Sequence, residues 1–218
     1  GALTYDRRDS PYPYNSALML EPDGRITGRF DKNYLMLFGE YIPLYESIPW
    51  FKKIFPEASN LARGHDVTTF EVAGHRVAPM ICYEDIIPEF GQRLAALRPQ
   101  LFVNITNDAW FGRTSEPYEH LALSVYRAVE HRIDMVRAVN TGVSAFIDAT
   151  GRVYQKGPSI DPIETPDPPP TTLLDEVALR EPTGLYGRLG TLWCWLNVAA
   201  ALALVVVAWR RARRMATG

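Results

Sequence analysis

Short runs of apolar residues alternate with turn-forming residues along the first half of the chain. SALMLEPDGRITGRF has two such runs around the Pro-Asp-Gly triplet at 22–24, where proline presets φ and glycine accepts a positive φ. FEVAGHRVAPMIC has the same form around residues 73–74, and SAFIDATGRVYQK has it around residues 150–151. The pattern predicts three hairpins, the second of which ends at Cys82.

Two helices are predicted in later segments. Helical spacing of apolar residues predicts the first, from Ile86 to Arg98. A second helix is predicted to continue through Arg127 or beyond, with Ser115 placed to cap it and acidic residues in its first turn. LFVNIT, at 101–106, is typical of a buried strand. This order of strands and helices favours an α/β layered sheet.

The C-terminal region is the most apolar part of the chain. Residues 191–209 include no charged side chain, and about 20 residues at a rise of about 1.5 Å match the hydrocarbon thickness of a bilayer. Tryptophans lie near both ends, and four arginines follow at once. We predict a transmembrane helix over 191–209, with a basic tail at 210–218 on the cytoplasmic side and the rest of the chain on the outer side.

The whole chain has 218 residues, and the part before this helix is long enough for one substantial domain. The formal net charge is −2 and the body of the chain has no basic cluster, so a nucleic-acid partner is excluded. We divide the chain into a catalytic domain at 1–157, an extended proline-rich connector at 158–170, and a strand with a juxtamembrane segment at 171–190.

Cys82 lies where a strand is predicted to end and a helix to begin. A thiol at such a place is close to backbone N–H groups and to the positive end of the helix dipole, which favour the nucleophilic thiolate. A packing role is the commoner one for a free cysteine. The polar neighbours Tyr83 and Glu84 favour the nucleophile. The second cysteine, Cys194, falls within the predicted membrane helix, so we expect no disulfide.

Lys32 stands among aromatic and aliphatic residues in FDKNYLMLFGEYIPL, eight positions before Glu40. Most lysines are solvated surface charges, but this context predicts partial desolvation. A desolvated lysine beside a carboxylate can hold a fixed positive charge toward a developing oxyanion.

Two aromatic segments are candidates for substrate contacts. VNITNDAWFGR leaves a strand and enters a loop with Asn107, Trp110 and Phe111, and loops at strand ends commonly carry binding residues. IPWFKKIFPEA, which we expect to be a loop, combines Trp50 and Phe51 with two lysines. For the first segment the alternative is a capped strand end whose aromatic residues fill the core, and for the second it is ordinary aromatic packing with the lysines outside. The second is alternatively a lid that dips into a lipid headgroup layer.

Four segments, YNSALML, DKNYLMLFGEYIPL, ICYED and NDAWFGR, together resemble the nitrilase superfamily, and most closely its apolipoprotein N-acyltransferase branch. The resemblance runs over residues 14–209. It implies a four-layer α/β/β/α sandwich, here partial because its first strands are missing, and a Glu-Lys-Cys triad. In such enzymes the triad glutamate and other membrane helices lie upstream of the matching segments. We therefore expect the chain to be the C-terminal part of a longer protein and to be inactive alone.

Carried over by position, the resemblance implies a role for each of the central residues. Cys82 corresponds to the nucleophile, Lys32 to the triad lysine, and Glu40 to a carboxylate that assists the lysine. Tyr83 and Glu84 correspond to the supporting pair that follows the cysteine.

The implied activity is acyl transfer from a phospholipid to the N-terminal cysteine amine of a diacylated apolipoprotein, through a thioester on Cys82 and without a metal or organic cofactor. Such an enzyme belongs in the bacterial inner membrane, with its catalytic domain in the periplasm. Two alternatives stay open. One is a membrane-tethered amidase of nitrilase type, and the other is a non-catalytic binding module with the same fold.

Overall fold

The computed structural model of the protein describes residues 1–6, 10–45, 47–54, 60–112, 114–158, 172–190 and 192–216. The strands in these ranges are β1 (Ala2–Thr4), β2 (Tyr14–Leu20), β3 (Ile26–Asp31), β4 (Phe70–Val72), β5 (His75–Ile81), β6 (Leu101–Thr106), β7 (Met135–Val139), β8 (Ala145–Ile147) and β9 (Val153–Lys156). The helices are α1 (Pro49–Ile54), α2 (Pro88–Ala95), α3 (Glu116–His131), α4 (Leu185–Leu189) and α5 (Leu192–Ala216).

These strands form two sheets. The smaller is antiparallel with the order β1-β2-β3, and the larger has six strands in the order β4-β5-β6-β7-β8-β9. In the larger sheet β5, β6 and β7 run parallel, while the outer pairs are antiparallel. All three predicted hairpins are confirmed, as β2–β3, β4–β5 and β8–β9. The turn glycines Gly24, Gly74 and Gly151 each have the positive φ that the turn residues predicted.

Side chains of β6 show how the layers are stacked. The Phe102 ring lies 5.8 Å from that of His131 in α3, so this face of the sheet is covered by helices. Ile105 points the other way, and its Cδ1 lies 3.4 Å from the place that a Cβ on Gly1 would take, beside β1 of the smaller sheet. A helix layer and two sheets therefore pack in the expected α/β order, around a continuous buried core that includes Phe30, Phe90 and Phe102.

The helix predicted from Ile86 to Arg98 is shorter than expected. A 3-10 helix occupies Cys82–Ile86, and α2 follows from Pro88 to Ala95. Proline favours the first helical position because its missing N–H is unpaired there in any case, so the helix begins at Pro88. Arg98 has a φ of 55°, which is outside the helical range.

The second predicted helix is confirmed as α3, but its capping is not as predicted. Ser115 itself has near-helical dihedrals, with φ −72° and ψ −10°, and its side chain does not cap the helix. A capping side chain needs the extended backbone that positions it over the first free N–H groups. The Ser115 hydroxyl instead donates to Glu119 Oε1 at 2.6 Å.

Two expectations for other segments were wrong within the described residues. IPWFKKIFPEA is not a loop throughout, because Pro49–Ile54 form α1; its residues 55–58 lie outside the described ranges. TTLLDEVAL forms no strand over its described residues 172–179. Its Ala178 N–H donates to the Asp134 side chain, at Oδ2 and 2.9 Å, and not to a backbone carbonyl. Except for its first residue, the predicted connector at 158–170 lies outside the described ranges.

The last two helices join the domain to its C-terminus. A Cβ on Gly184 would overlap the carbonyl oxygen of Glu130, so only glycine allows α4 to approach the end of α3 this closely. The Tyr186 ring lies 6.3 Å from that of His131. Helix α5 is exposed along its apolar length and is long enough to cross a membrane. It continues through the arginines to Ala216, so most of the predicted tail is helical.

Candidate active site

The turn that carries Cys82 is formed by the 3-10 helix at Cys82–Ile86, which we call the nucleophile turn. Cys82 follows β5 directly and has a φ of 56°, a left-handed conformation that costs a non-glycine residue about 1–2 kcal/mol. Its carbonyl accepts a hydrogen bond from Asn104 Nδ2 at 2.8 Å. The side chain is a free thiol of intermediate exposure. The backbone is thus held in a strained form that presents the sulfur at the sheet edge.

Glu84 fastens the nucleophile turn to the segment after β3. Its carboxylate is fully buried; Oε1 accepts the N–H groups of Asn33 at 2.6 Å and Tyr34 at 3.1 Å. Oε2 accepts the N–H of Ile81 at 2.9 Å. Burial raises the pKa of Glu84 to about 7, against the effect of these backbone donors. The turn and the segment that begins with Lys32 are therefore held together by one carboxylate.

Lys32 is buried, with 1% of its side chain exposed, as its apolar context predicts. Its Nζ donates to Glu40 Oε2 at 2.7 Å. That oxygen also accepts the Met36 N–H at 2.9 Å, and Glu40 Oε1 accepts from Asn15 Nδ2 at 3.0 Å. The Lys32 backbone is fixed as well, because its carbonyl accepts the Gly64 N–H at 2.9 Å. The ammonium group is therefore neutralised on one side and oriented.

Opposing effects act on the Cys82 sulfur. The pKa of the thiol is raised overall, because burial outweighs the Lys32 charge, the Thr106 hydroxyl and the Tyr83 N–H, which lower it; the Glu40 carboxylate also raises it. The three lowering effects all stabilise a thiolate. Lys32 Nζ also lies 5.1 Å from the Tyr83 ring centroid, so lysine and turn face one another.

Tyr83 also holds the nucleophile turn against the segment that begins with Lys32. Its hydroxyl donates to the Leu35 carbonyl at 2.8 Å, which ties the turn again to the lysine segment. Burial raises the pKa of Tyr83 to about 12, so the phenol stays protonated at neutral pH.

The other predicted substrate residues are less closely tied to the sulfur. Asn107 follows Thr106 directly, but its Oδ1 shapes the loop by accepting from the Ala109 N–H and the Thr141 hydroxyl, each at 3.1 Å. Phe111 ends a short 3-10 helix over Ala109–Phe111. Trp50, on α1, is mostly exposed. The side chains of Phe51 and Trp110 are outside the part that the structure describes.

A buried polar network beside the nucleophile turn was missed by the sequence analysis. His120 Nε2 lies 2.9 Å from Asp85 Oδ1, and His120 Nδ1 lies 3.1 Å from Asp108 Oδ1. Arg137 donates to the other oxygen of Asp85. The available signal was on α3, where polar residues recur at helical spacing on its core-facing side; those buried are His120, Ser124, Arg127 and His131.

The same network includes the one set of potential metal ligands found in the described residues. Ligand atoms of Asp108, Glu116 and His120 all lie within 4.8 Å of one another. A metal needs a free lone pair on an imidazole nitrogen, yet both nitrogens of His120 face carboxylate oxygens. We therefore treat the cluster as a hydrogen-bonded network.

The chain is similar in sequence to carbon-nitrogen hydrolases and to proteins named apolipoprotein N-acyltransferase. Residues 2–160 match the family described as carbon-nitrogen hydrolase. The apolipoprotein N-acyltransferase of Geobacter metallireducens is 36% identical over 197 residues, which are 90% of this chain and 36% of the relative. That of Azotobacter vinelandii is 35% identical over an aligned length of 220, which covers 98% of this chain and 39% of the relative. The chain thus spans well under half the length of these relatives.

Solved structures similar to this chain have the nitrilase fold. A carbon-nitrogen hydrolase from Helicobacter pylori matches 73% of this chain and 57% of its own with a TM-score of 0.55 and 15% identity. The glutamine-dependent NAD+ synthetase of Acinetobacter baumannii matches 69% of this chain and 27% of its own, with a TM-score of 0.54 and 19% identity. At these identities the likeness supports the fold alone.

Proposed function

Since the chain belongs to the carbon-nitrogen hydrolase family, we propose that it forms the catalytic part of an enzyme that acylates the N-terminal cysteine amine of bacterial lipoproteins. The relatives named apolipoprotein N-acyltransferase support this acceptor and a phospholipid donor. The observation that carries the proposal is the buried Lys32–Glu40 pair facing the turn of Cys82.

The reaction begins with transfer of the acyl chain to Cys82. A base takes the thiol proton, and the thiolate attacks an ester carbonyl of the phospholipid. Lys32 Nζ and the Tyr83 N–H stabilise the oxyanion of the tetrahedral intermediate. The C–O bond then breaks, the base returns its proton to the leaving oxygen, and a lysophospholipid departs. A thioester remains on Cys82.

The second half regenerates the thiol. The α-amine of the diacylated lipoprotein's cysteine attacks the thioester carbonyl, the C–S bond breaks, and one proton of the amine passes through the base to the sulfur. The products are an amide and free Cys82. Every bond made or broken is accounted for by side chains, the two substrates and one base.

The two glutamates of the site, Glu40 and Glu84, are poorly suited to act as that base. Glu40 is occupied by Lys32, Asn15 and Met36. Glu84 is fully buried and holds three backbone N–H groups. We therefore assign the base to a glutamate outside these 218 residues, which completes a Glu-Lys-Cys triad. The lengths of the relatives leave room for such a segment.

Helix α5 anchors the enzyme in the inner membrane in this proposal. Its apolar surface is exposed, and arginines follow its apolar stretch. By the positive-inside rule, the C-terminus is cytoplasmic and the domain periplasmic. A reporter that works only in the cytoplasm is expected to be active when fused after Gly218. Activity of an export-requiring reporter at the same place would show the opposite orientation.

The proposed activity is tested with the complete gene product in detergent, given a phospholipid with one isotope-labelled acyl chain and a diacylated lipopeptide. The lipopeptide is expected to gain the mass of one labelled acyl group at its α-amine, as located by tandem mass spectrometry. A lipopeptide with a blocked α-amine is the control and gains nothing. Hydrolysis of small amides without acyl transfer would instead support an amidase, and inertness toward both would support a binding module.

A further inference from the structure

His120 joins the nucleophile turn to the loop that follows β6. It is 4% exposed and sits on the core side of α3, between Asp85 of the turn and Asp108 of the loop. Each ring nitrogen faces a carboxylate oxygen, at 2.9 Å and 3.1 Å. A neutral imidazole can donate from only one nitrogen, so both contacts are made only by the protonated ring.

The charges around His120 come from four elements and favour the protonated ring. Asp85 and Asp108 bond to it, and Glu116, one helical turn before it, has Oε1 4.0 Å from Nδ1. Arg137 of β7 pairs with Asp85 from the far side. These three carboxylates are balanced by Arg137 alone when His120 is neutral, and by two cations when His120 is protonated. Burial lowers the pKa of His120, but the hydrogen bonds with Asp108 and Asp85 outweigh it and raise the pKa to about 9.

Thr106 connects this network to the sulfur of Cys82. Thr106 lies beside Cys82, because the residues before them, Ile105 and Ile81, pair in the parallel sheet. The Thr106 hydroxyl donates to Asp108 Oδ1 at 3.2 Å, and it lowers the pKa of the Cys82 thiol. One hydroxyl proton cannot serve both acceptors. When the thiol ionises, the hydroxyl must turn to the sulfur, and Asp108 loses that donor.

Asp108 then depends on His120. Its other oxygen, Oδ2, is buried, faces Gly142 and has no hydrogen-bond donor in the part of the chain that the structure describes. An uncompensated buried carboxylate is costly, so without a cation on Asp108 the hydroxyl would stay with that carboxylate. A protonated His120 removes this competition.

We propose that His120 is a positioning residue for the Cys82 nucleophile, which holds Asp85 and Asp108 together and releases the Thr106 hydroxyl to the sulfur. The inference rests on the proposed function for its place in catalysis, but its effect on the thiolate can be measured without any acyl transfer.

The test measures the rate at which iodoacetamide alkylates Cys82 in the complete gene product, by mass spectrometry of the Cys82 peptide, from pH 7 to pH 10. His120→Gln is expected to slow alkylation about 10-fold or more at pH 8, the size of a lost charge-assisted hydrogen bond. Alkylation of Cys194, on α5, is the internal control and is expected to stay unchanged.

The pH dependence separates positioning from a general structural role. The wild-type advantage requires protonated His120, so the ratio of wild-type to His120→Gln rates is expected to fall toward one as the pH rises through about 9. The matched control is His131→Gln, at a second buried histidine of the same helix, which is kept neutral because burial and Arg127 lower its pKa to about 4. It is expected to leave the Cys82 rate and its pH profile unchanged.

A second pair of variants keeps the inference testable if His120→Gln is poorly folded. Thr106→Val removes the hydroxyl with little change of shape. In that background His120→Gln is expected to have at most a small further effect, because the route to the sulfur is already gone. The inference is overturned by a pH-independent rate ratio, by an equal loss in His131→Gln, or by additive effects of the Thr106 and His120 changes. Normal alkylation behaviour without acyl transfer would reject the proposed function alone.

Discussion

A Cys82→Ala variant of the complete gene product is expected to transfer no measurable acyl chain, a loss of about 10⁴-fold or more. The thioester cannot form without the sulfur, and the remaining groups stabilise an oxyanion that no nucleophile creates. Alanine has the same left-handed strain as cysteine at a φ of 56° and is smaller, so the turn is expected to be retained. Circular dichroism and size-exclusion chromatography check that the variant is folded.

The wild-type enzyme provides the positive half of this experiment. Incubated with phospholipid alone, it is expected to gain the mass of one acyl group on the peptide that contains Cys82, and hydroxylamine is expected to remove it. Cys194→Ala is the matched control, because it deletes the second cysteine of the chain and is expected to keep both the adduct and the activity. An acyl group on any other residue would contradict the assignment.

Lys32→Arg is expected to lower the rate of acyl transfer about 10²–10³-fold, nearly as far as Lys32→Ala. The Lys32 side chain is 1% exposed, and its Nζ fits a site 2.7 Å from Glu40 Oε2. A planar guanidinium is broader than an ammonium and cannot point one compact charge at the oxyanion while it keeps that contact.

The measurement is single-turnover formation of the Cys82 thioester, which isolates the step that Lys32 assists. Lys156→Arg, on the exposed end of β9, makes the same chemical change away from the site and is expected to be neutral. Near-normal thioester formation in Lys32→Arg would mean that only diffuse positive charge is needed, and the oriented Lys32–Glu40 pair would lose its proposed role.

Local sequence signals predicted the hairpins well because each depends on a few adjacent residues. Glycines at 24, 74 and 151 accept positive φ, and the runs that flank them are rich in apolar residues. Element ends were harder to predict. The proline at the start of α2 set that boundary. The segment at 172–184 forms no strand, and its Ala178 N–H bonds to Asp134, a side chain distant in sequence.

The site shows the same division between local and distant information. The buried Lys32 and its nearby partner Glu40 were predictable, since both lie in one short apolar segment. The position of Glu84 was not, because it holds N–H groups about 50 residues away, and no spacing in the sequence encodes that contact. His120 was not singled out in the sequence, because its two carboxylate partners come from the nucleophile turn and from the loop after β6.

The close packing of α4 on α3 makes the connection between the C-terminal helices and the nucleophile turn rigid. Gly184 leaves no gap at the Glu130 carbonyl, and His131 of the same helix touches the Tyr186 ring. Eleven residues earlier, α3 contacts Asp85 through His120, a span of about 16 Å at the usual rise. Helix α3 therefore connects α4, which precedes the C-terminal helix, rigidly to the nucleophile turn. The length of α3, and not a flexible linker, sets the distance between them.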